Sequence, residues 1–90
     1  MMEKLWNLYL LRCGDGTLYC GISTDVEARL EVHRSGQGAK YTRGRGPLEL
    51  VYREVCGDHS AALKREIAVK KLTRQEKEKL IRQWKNSEDP

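Results

Sequence analysis

Two apolar stretches, residues 6–13 and 17–23, are separated by only three residues, Gly14-Asp15-Gly16. This spacing constrains the chain more than any other feature. Gly and Asp tolerate positive φ, so the pattern predicts a strand–turn–strand hairpin. With all three residues in the turn, Cys13 faces Thr17, Tyr9 faces Gly21, and Tyr19 faces Leu11. Side chains alternate along a strand with period two, so Tyr9 and Tyr19 then project from the same face. A two-residue turn would put them on opposite faces.

The elements that follow can be placed from their caps. Thr24 with Glu27 three residues later reads as a capping box opening a helix with Val26 and Leu30 on its apolar stripe and Gly36 as its stop. Arg29 and His33 stand four apart, side by side on one face of that helix. Residues 36–47 hold four glycines and no acid, and residues 48–55 read as a third strand. Gly57-Asp58 breaks it, and Asp58 or Ser60 caps a second helix reaching about Leu72. Along it Leu63 and Ile67 form one stripe, and Ala62, Glu66 and Val69 a neighbouring one, which puts Glu66 at the edge of the packed face. Thr73 and Glu76 form another capping box, opening a third helix anchored by Leu80, Ile81 and Trp84, with residues 86–90 expected to fray. The order is β-β-α-β-α-α, an α+β fold with a small sheet covered by helices. At 90 residues the expectation is one domain, with an ordered core over about 5–84.

Composition narrows the function classes. Apolar residues make up 39% of the chain and charged residues 33%, too apolar for a disordered chain. The longest apolar run is residues 8–11, far short of a membrane span. Three cysteines, with no CxxC pair, fit neither a disulfide framework nor a structural zinc site. Cys13 and Cys20 are expected as small buried hydrophobes in a reducing cytoplasm. The net charge of +4 is unevenly spread: residues 1–33 carry −2, residues 34–45 carry +4 with no acid, and residues 59–85 carry +6. Such clustering is the footprint of contact with a phosphate backbone, although a basic helix can equally be a solvated face.

Four kinds of polar group stand where they can converge: the two tyrosines, Arg29, His33 and Glu66. Phosphodiester hydrolysis uses such a set. A carboxylate-held metal neutralises developing charge, arginine grips two phosphate oxygens, and a basic group takes a proton from water. Taken singly, each residue has another reading. A strand tyrosine packs, Arg29 can pair with Asp25, His33 can favour a helix C-terminus, and Glu66 can pair with Lys70.

The ordered set resembles the GIY-YIG nuclease superfamily, and in particular its small stand-alone bacterial branch. The resemblance rests on Asn7-Leu8-Tyr9, Tyr19-Cys20-Gly21, Arg29, His33, Glu66 within Ala62-Leu63-Lys64-Arg65-Glu66, and the loop Gly38-Ala39-Lys40-Tyr41-Thr42-Arg43-Gly44-Arg45. It spans roughly residues 5–82. It implies a three-stranded antiparallel sheet with helices on both sides and DNA cleavage with one divalent metal, Mg²⁺ or Mn²⁺. By position, Tyr19 matches the general base toward water and Tyr9 the first motif tyrosine, which orients water or phosphate. Arg29 matches the arginine on the scissile phosphate, His33 a position aiding proton movement, and Glu66 the metal-binding carboxylate. Lys40, Tyr41, Arg43 and Arg45 are expected to contact nucleic acid. Asn-Leu-Tyr replaces Gly-Ile-Tyr, Ile22 stands where the excision-repair relatives carry lysine, and a late asparagine has no counterpart. The reading is therefore a DNA endonuclease acting in repair or on damaged or branched DNA, with target choice left to DNA shape or a targeting partner protein. Its alternative is a nucleic-acid-binding or adaptor module of the same fold with little catalysis.

Overall fold

Strand β1 (Trp6–Arg12) lies at the centre of a three-stranded antiparallel sheet, between β2 (Leu18–Ser23) and β3 (Glu49–Gly57). The computed structural model describes residues 4–36 and 44–88. Helix α1 (Val26–Arg34) follows the hairpin, and α2 (His59–Lys70) and α3 (Arg74–Glu88) follow β3. The order β-β-α-β-α-α is the one expected.

The hairpin register also follows the three-residue turn: Tyr9 pairs with Gly21 and Leu11 with Tyr19. Cys13 N–H donates to the Thr17 carbonyl (2.8 Å), and Asp15 Oδ1 accepts from the Thr17 N–H and hydroxyl. The two glycines serve different needs. Gly16 sits at φ +86°, the left-handed conformation this loop length requires. Gly14 is demanded by close approach, because a Cβ there would strike the Gly46 carbonyl while its N–H donates to the Arg45 carbonyl (2.6 Å).

The sheet separates two packed layers. On one side Leu8, Leu10, Cys20, Val51 and Tyr52 pack with Val69 of α2 and Ile81 of α3. On the other, Tyr9, Leu11 and Cys13 pack with Val26 and Leu30 of α1. A central strand covered on both faces explains the uninterrupted run 8–11, since neither set of alternate residues meets water. The β1–β3 register shifts between Leu10 and Leu11, leaving Val51 as an extra residue that joins Tyr52 on the same face.

Three local expectations are corrected. The first helix is capped by Asp25, whose carboxylate accepts from the Ala28 N–H (3.1 Å), and not by Thr24. Aspartate caps as well as threonine does, and Glu27 is drawn instead to Arg53 on β3 (2.6 Å). In α2 Ala62 and Val69 are fully buried, whereas Leu63 and Ile67 are exposed. The third helix reaches Glu88, past the expected fraying point. Its capping box forms as read, with Thr73 Oγ1 accepting from the Glu76 N–H (3.1 Å) and Glu76 Oε1 from the Thr73 N–H (2.9 Å). Asp58 caps α2, accepting from the Ala61 N–H (2.8 Å). All three cysteines are free, and Cys13 and Cys20 are buried.

Candidate active site

The sheet face beneath α1 carries an aromatic cluster. Tyr9 from β1, Tyr19 from β2 and His33 from α1 meet as three rings with centroids 5.2–6.5 Å apart. The Tyr9 hydroxyl and His33 Nε2 share a buried hydrogen bond of 3.0 Å. Register puts both tyrosines on this face, and the four-residue spacing on α1 brings Arg29 to the same place as His33. Gly21 makes the fit possible. The Tyr9 side chain crosses it, and a Cβ at that position would lie 2.5 Å from the Tyr9 hydroxyl.

Burial, with nearby charges second, sets the proton affinities. Burial pushes Tyr9 up to about 12, with Tyr19 adding to the rise and Arg29 opposing it. Tyr19 is also raised, again first by burial, with Arg29 and Lys70 pulling down and Glu66 pushing up. His33 is lowered by burial and then by Arg29, so its imidazole is neutral at pH 7. Phenolic protons are therefore held firmly here, and a neutral imidazole stands beside them able to accept one.

Arg29 makes no ion pair among the described residues. The pairing with Asp25 open to it on sequence does not form; Asp25 turns to the helix N-terminus instead. The guanidinium is left to act on Tyr9, Tyr19 and His33, and its two-pronged geometry suits a phosphate.

Glu66 approaches from the other layer. It lies between Ala62 and Val69 on the packed face of α2, with only 19% of its side chain exposed, and Lys70 Nζ stands 3.5 Å from its Oε2. Its charge reaches both Tyr19 and Cys20. Among the described residues no group of three His, Cys, Asp or Glu side chains could cage a metal. A mostly buried carboxylate acting on Tyr19 does fit a hard cation that keeps water and substrate phosphate in most of its coordination shell.

The expected nucleic-acid loop is less informative. Lys40, Tyr41 and Arg43 lie outside the described residues. Arg45 donates to Asp15 (2.6 Å), bracing the hairpin turn against the end of the loop. Sequence reasoning missed a different pair of cations. Lys70 and Lys77 flank Tyr19 and Cys20 along an open groove of about 240 Å³ that also touches Leu18. A run of basic residues over α2 and α3 was the only signal, and it does not say which of them face β2.

Comparison with known proteins places the chain in a family. A family model described as the GIY-YIG catalytic domain matches residues 5–87. A UPF0213 protein of Yersinia pestis (strain Pestoides F) is 54% identical over 81 residues, 90% of this chain and 85% of its own length. A UPF0213 protein of Bacillus halodurans, solved in solution, is 46% identical with a TM-score of 0.54, over 84% of this chain and 81% of that one. The solution structure of a protein from E. faecalis is 42% identical with a TM-score of 0.62, over 90% and 86%.

Proposed function

Because the chain belongs to the GIY-YIG family of nuclease domains, we propose that it is a metal-dependent DNA endonuclease hydrolysing phosphodiesters in damaged or branched DNA. The observation that carries this reading is the convergence of Tyr9, Tyr19, Arg29 and His33 on one face, with Glu66 reaching the same tyrosine from the other layer.

Arg29 holds two non-bridging oxygens of the scissile phosphate and offsets the charge that builds there. Tyr19 holds the attacking water; as the oxygen–phosphorus bond forms, the phenol oxygen takes the water's proton and gives up its own toward neutral His33, and the leaving oxygen departs with the electron pair of the broken ester bond and is protonated by solvent. Neutral His33, its ring centroid 5.2 Å from that of Tyr19, carries protons onward and fixes the Tyr9 hydroxyl. A Mg²⁺ or Mn²⁺ ion held by Glu66 would supply Lewis-acid contact to the phosphate and a more acidic bound water. The three free cysteines suit a reducing cytoplasm, and target choice falls to DNA shape or a targeting partner protein. Among the described residues no helix is long and apolar enough to cross a membrane.

The test is cleavage of flapped, nicked and intact DNA with Mg²⁺ or Mn²⁺. Tyr19→Phe and Glu66→Ala are each expected to slow it about 100-fold or more. Cleavage that persists in both variants would overturn the assignment. A second reading, a DNA-binding module with little turnover, is favoured by Lys70 sitting on Glu66 and by the raised Tyr19 phenol. It expects metal-independent binding and no product from any of these substrates.

A further inference from the structure

We propose that the groove between β2 and the α2–α3 turn, lined by Leu18, Tyr19, Cys20, Lys70 and Lys77, receives the sugar–phosphate backbone of the DNA strand being cut. This rests on the nuclease reading above and adds where the strand enters.

Strand β2 is an edge of the sheet, so the groove opens directly onto Tyr19 with no further strand outside it among the described residues. Its apolar floor, Leu18 and Cys20, continues the core beneath. Its walls are two lysines from either side of the α2–α3 turn.

Position, more than pairing, distinguishes these lysines: Lys4, Lys64, Lys71, Lys79 and Arg82 also meet no carboxylate among the described residues, but none of them lines this groove. Arg12, Arg34, Arg45, Arg53, Arg65, Arg74 and Lys85 each meet a carboxylate. Lys77 is half-buried yet meets none among the described residues, a position that leaves its charge directed into the groove. Lys70 has only the loose contact to Glu66, at 3.5 Å and more than half exposed, a kind of pair worth little and readily exchanged for a phosphate. Both lysines act on Cys20 at the groove floor, and Lys70 acts on Tyr19. Glu66 is the acid acting against them there. Arg29 and Lys70 both act on Tyr19, and Lys70 and Lys77 on Cys20, so positive charge gathers around this stretch of β2, which suits a polyanionic strand better than a neutral ligand.

The measurement is the salt dependence of binding to a fluorescein-labelled single-stranded 20-mer, by anisotropy in EDTA so that no cleavage occurs. Each lost phosphate contact lowers the slope of log K against log salt by about 0.7 on a single strand. Lys77→Gln is expected to lower it by about 0.7, and Lys70→Gln with Lys77→Gln by about 1.4. Lys70→Arg with Lys77→Arg keeps the slope, as does Lys64→Gln with Lys79→Gln outside the groove. If the unsubstituted protein binds but the slope ignores Lys70 and Lys77, or falls equally with the Lys64 and Lys79 pair, the groove is overturned and the nuclease reading stands. If the protein neither binds nor cleaves DNA, both are overturned.

Discussion

The two faces of the sheet are built from different chemistry. Beneath α2 and α3 the layer is mainly aliphatic, with Leu8, Leu10, Val51, Val69 and Ile81 all close to fully buried. Beneath α1 the buried layer includes Tyr9 and His33, joined by a hydrogen bond, with the Arg29 charge beside them. The aliphatic face needs only volume and tolerates no water. The α1 face buries polar groups whose partners must be exact, because an unpaired one costs about 1–3 kcal/mol. One layer therefore supplies most of the stability, and the other spends some of it on a prearranged site. Substitutions should separate the two.

The largest effect on folding belongs to the aliphatic side. Leu10→Ala removes a fully buried side chain and should lower stability by about 2–5 kcal/mol in urea unfolding, while the His33 titration measured by NMR stays where it was. A shift in His33 would show that the layers are not separable. Gly21→Ala tests the other face. The added methyl must displace the Tyr9 ring, so stability should fall by about 1–3 kcal/mol and the His33 ring signals should move. Unmoved His33 signals would mean that Tyr9 does not depend on this glycine.

Acid should weaken the fold in two phases. His33 is held below its ordinary value of about 6.5, so the unfolded chain binds that proton more readily; its contribution is complete above about pH 6.5 and falls away below it. Glu78 on the α3 side is held down to about 2, first by hydrogen bonding to Arg12 and then to Arg74. Its contribution is present above the ordinary glutamate value of 4.5 and is lost as pH falls toward 2. Partial exposure limits it to about 1 kcal/mol. Urea unfolding across pH should show both phases, with His33→Gln removing the first and Glu78→Gln reducing the second, to which Asp15, Glu27 and Glu76, also held low by hydrogen bonding, contribute. A single phase in the unsubstituted protein would contradict the separation.

Local rules read some parts of this molecule well and others poorly. A three-residue turn fixes hairpin register, so the shared face of Tyr9 and Tyr19 is legible from residue numbers alone. Four-residue spacing does the same for Arg29 and His33. Helical periodicity cannot choose between adjacent stripes, and Leu63 and Ile67 look as core-like as Ala62 and Val69 until the sheet is in place. Asp25 and Thr24 are both good caps one residue apart, and tertiary pairing of Glu27 with Arg53 accompanies the choice of Asp25. The approach of Glu66, Lys70 and Lys77 to Tyr19 joins elements more than 40 residues apart. Charge tallies register only that the helices are basic; helical periodicity puts Glu66 at the edge of the packed face, and its role as a metal ligand comes from the family resemblance. Gly14 reads as a turn glycine, but its real constraint is the Gly46 carbonyl, a contact no local rule contains.

The central claim is that the two layers meet at one centre, with Glu66 holding a divalent ion beside Tyr19. Titrating Mn²⁺ into isotopically labelled protein and following paramagnetic broadening of the amide signals tests it most directly. The signals of Tyr19, Cys20 and Glu66 are expected to broaden first, and Glu66→Gln to abolish the effect. Broadening centred on other carboxylates, unchanged in Glu66→Gln, would contradict it.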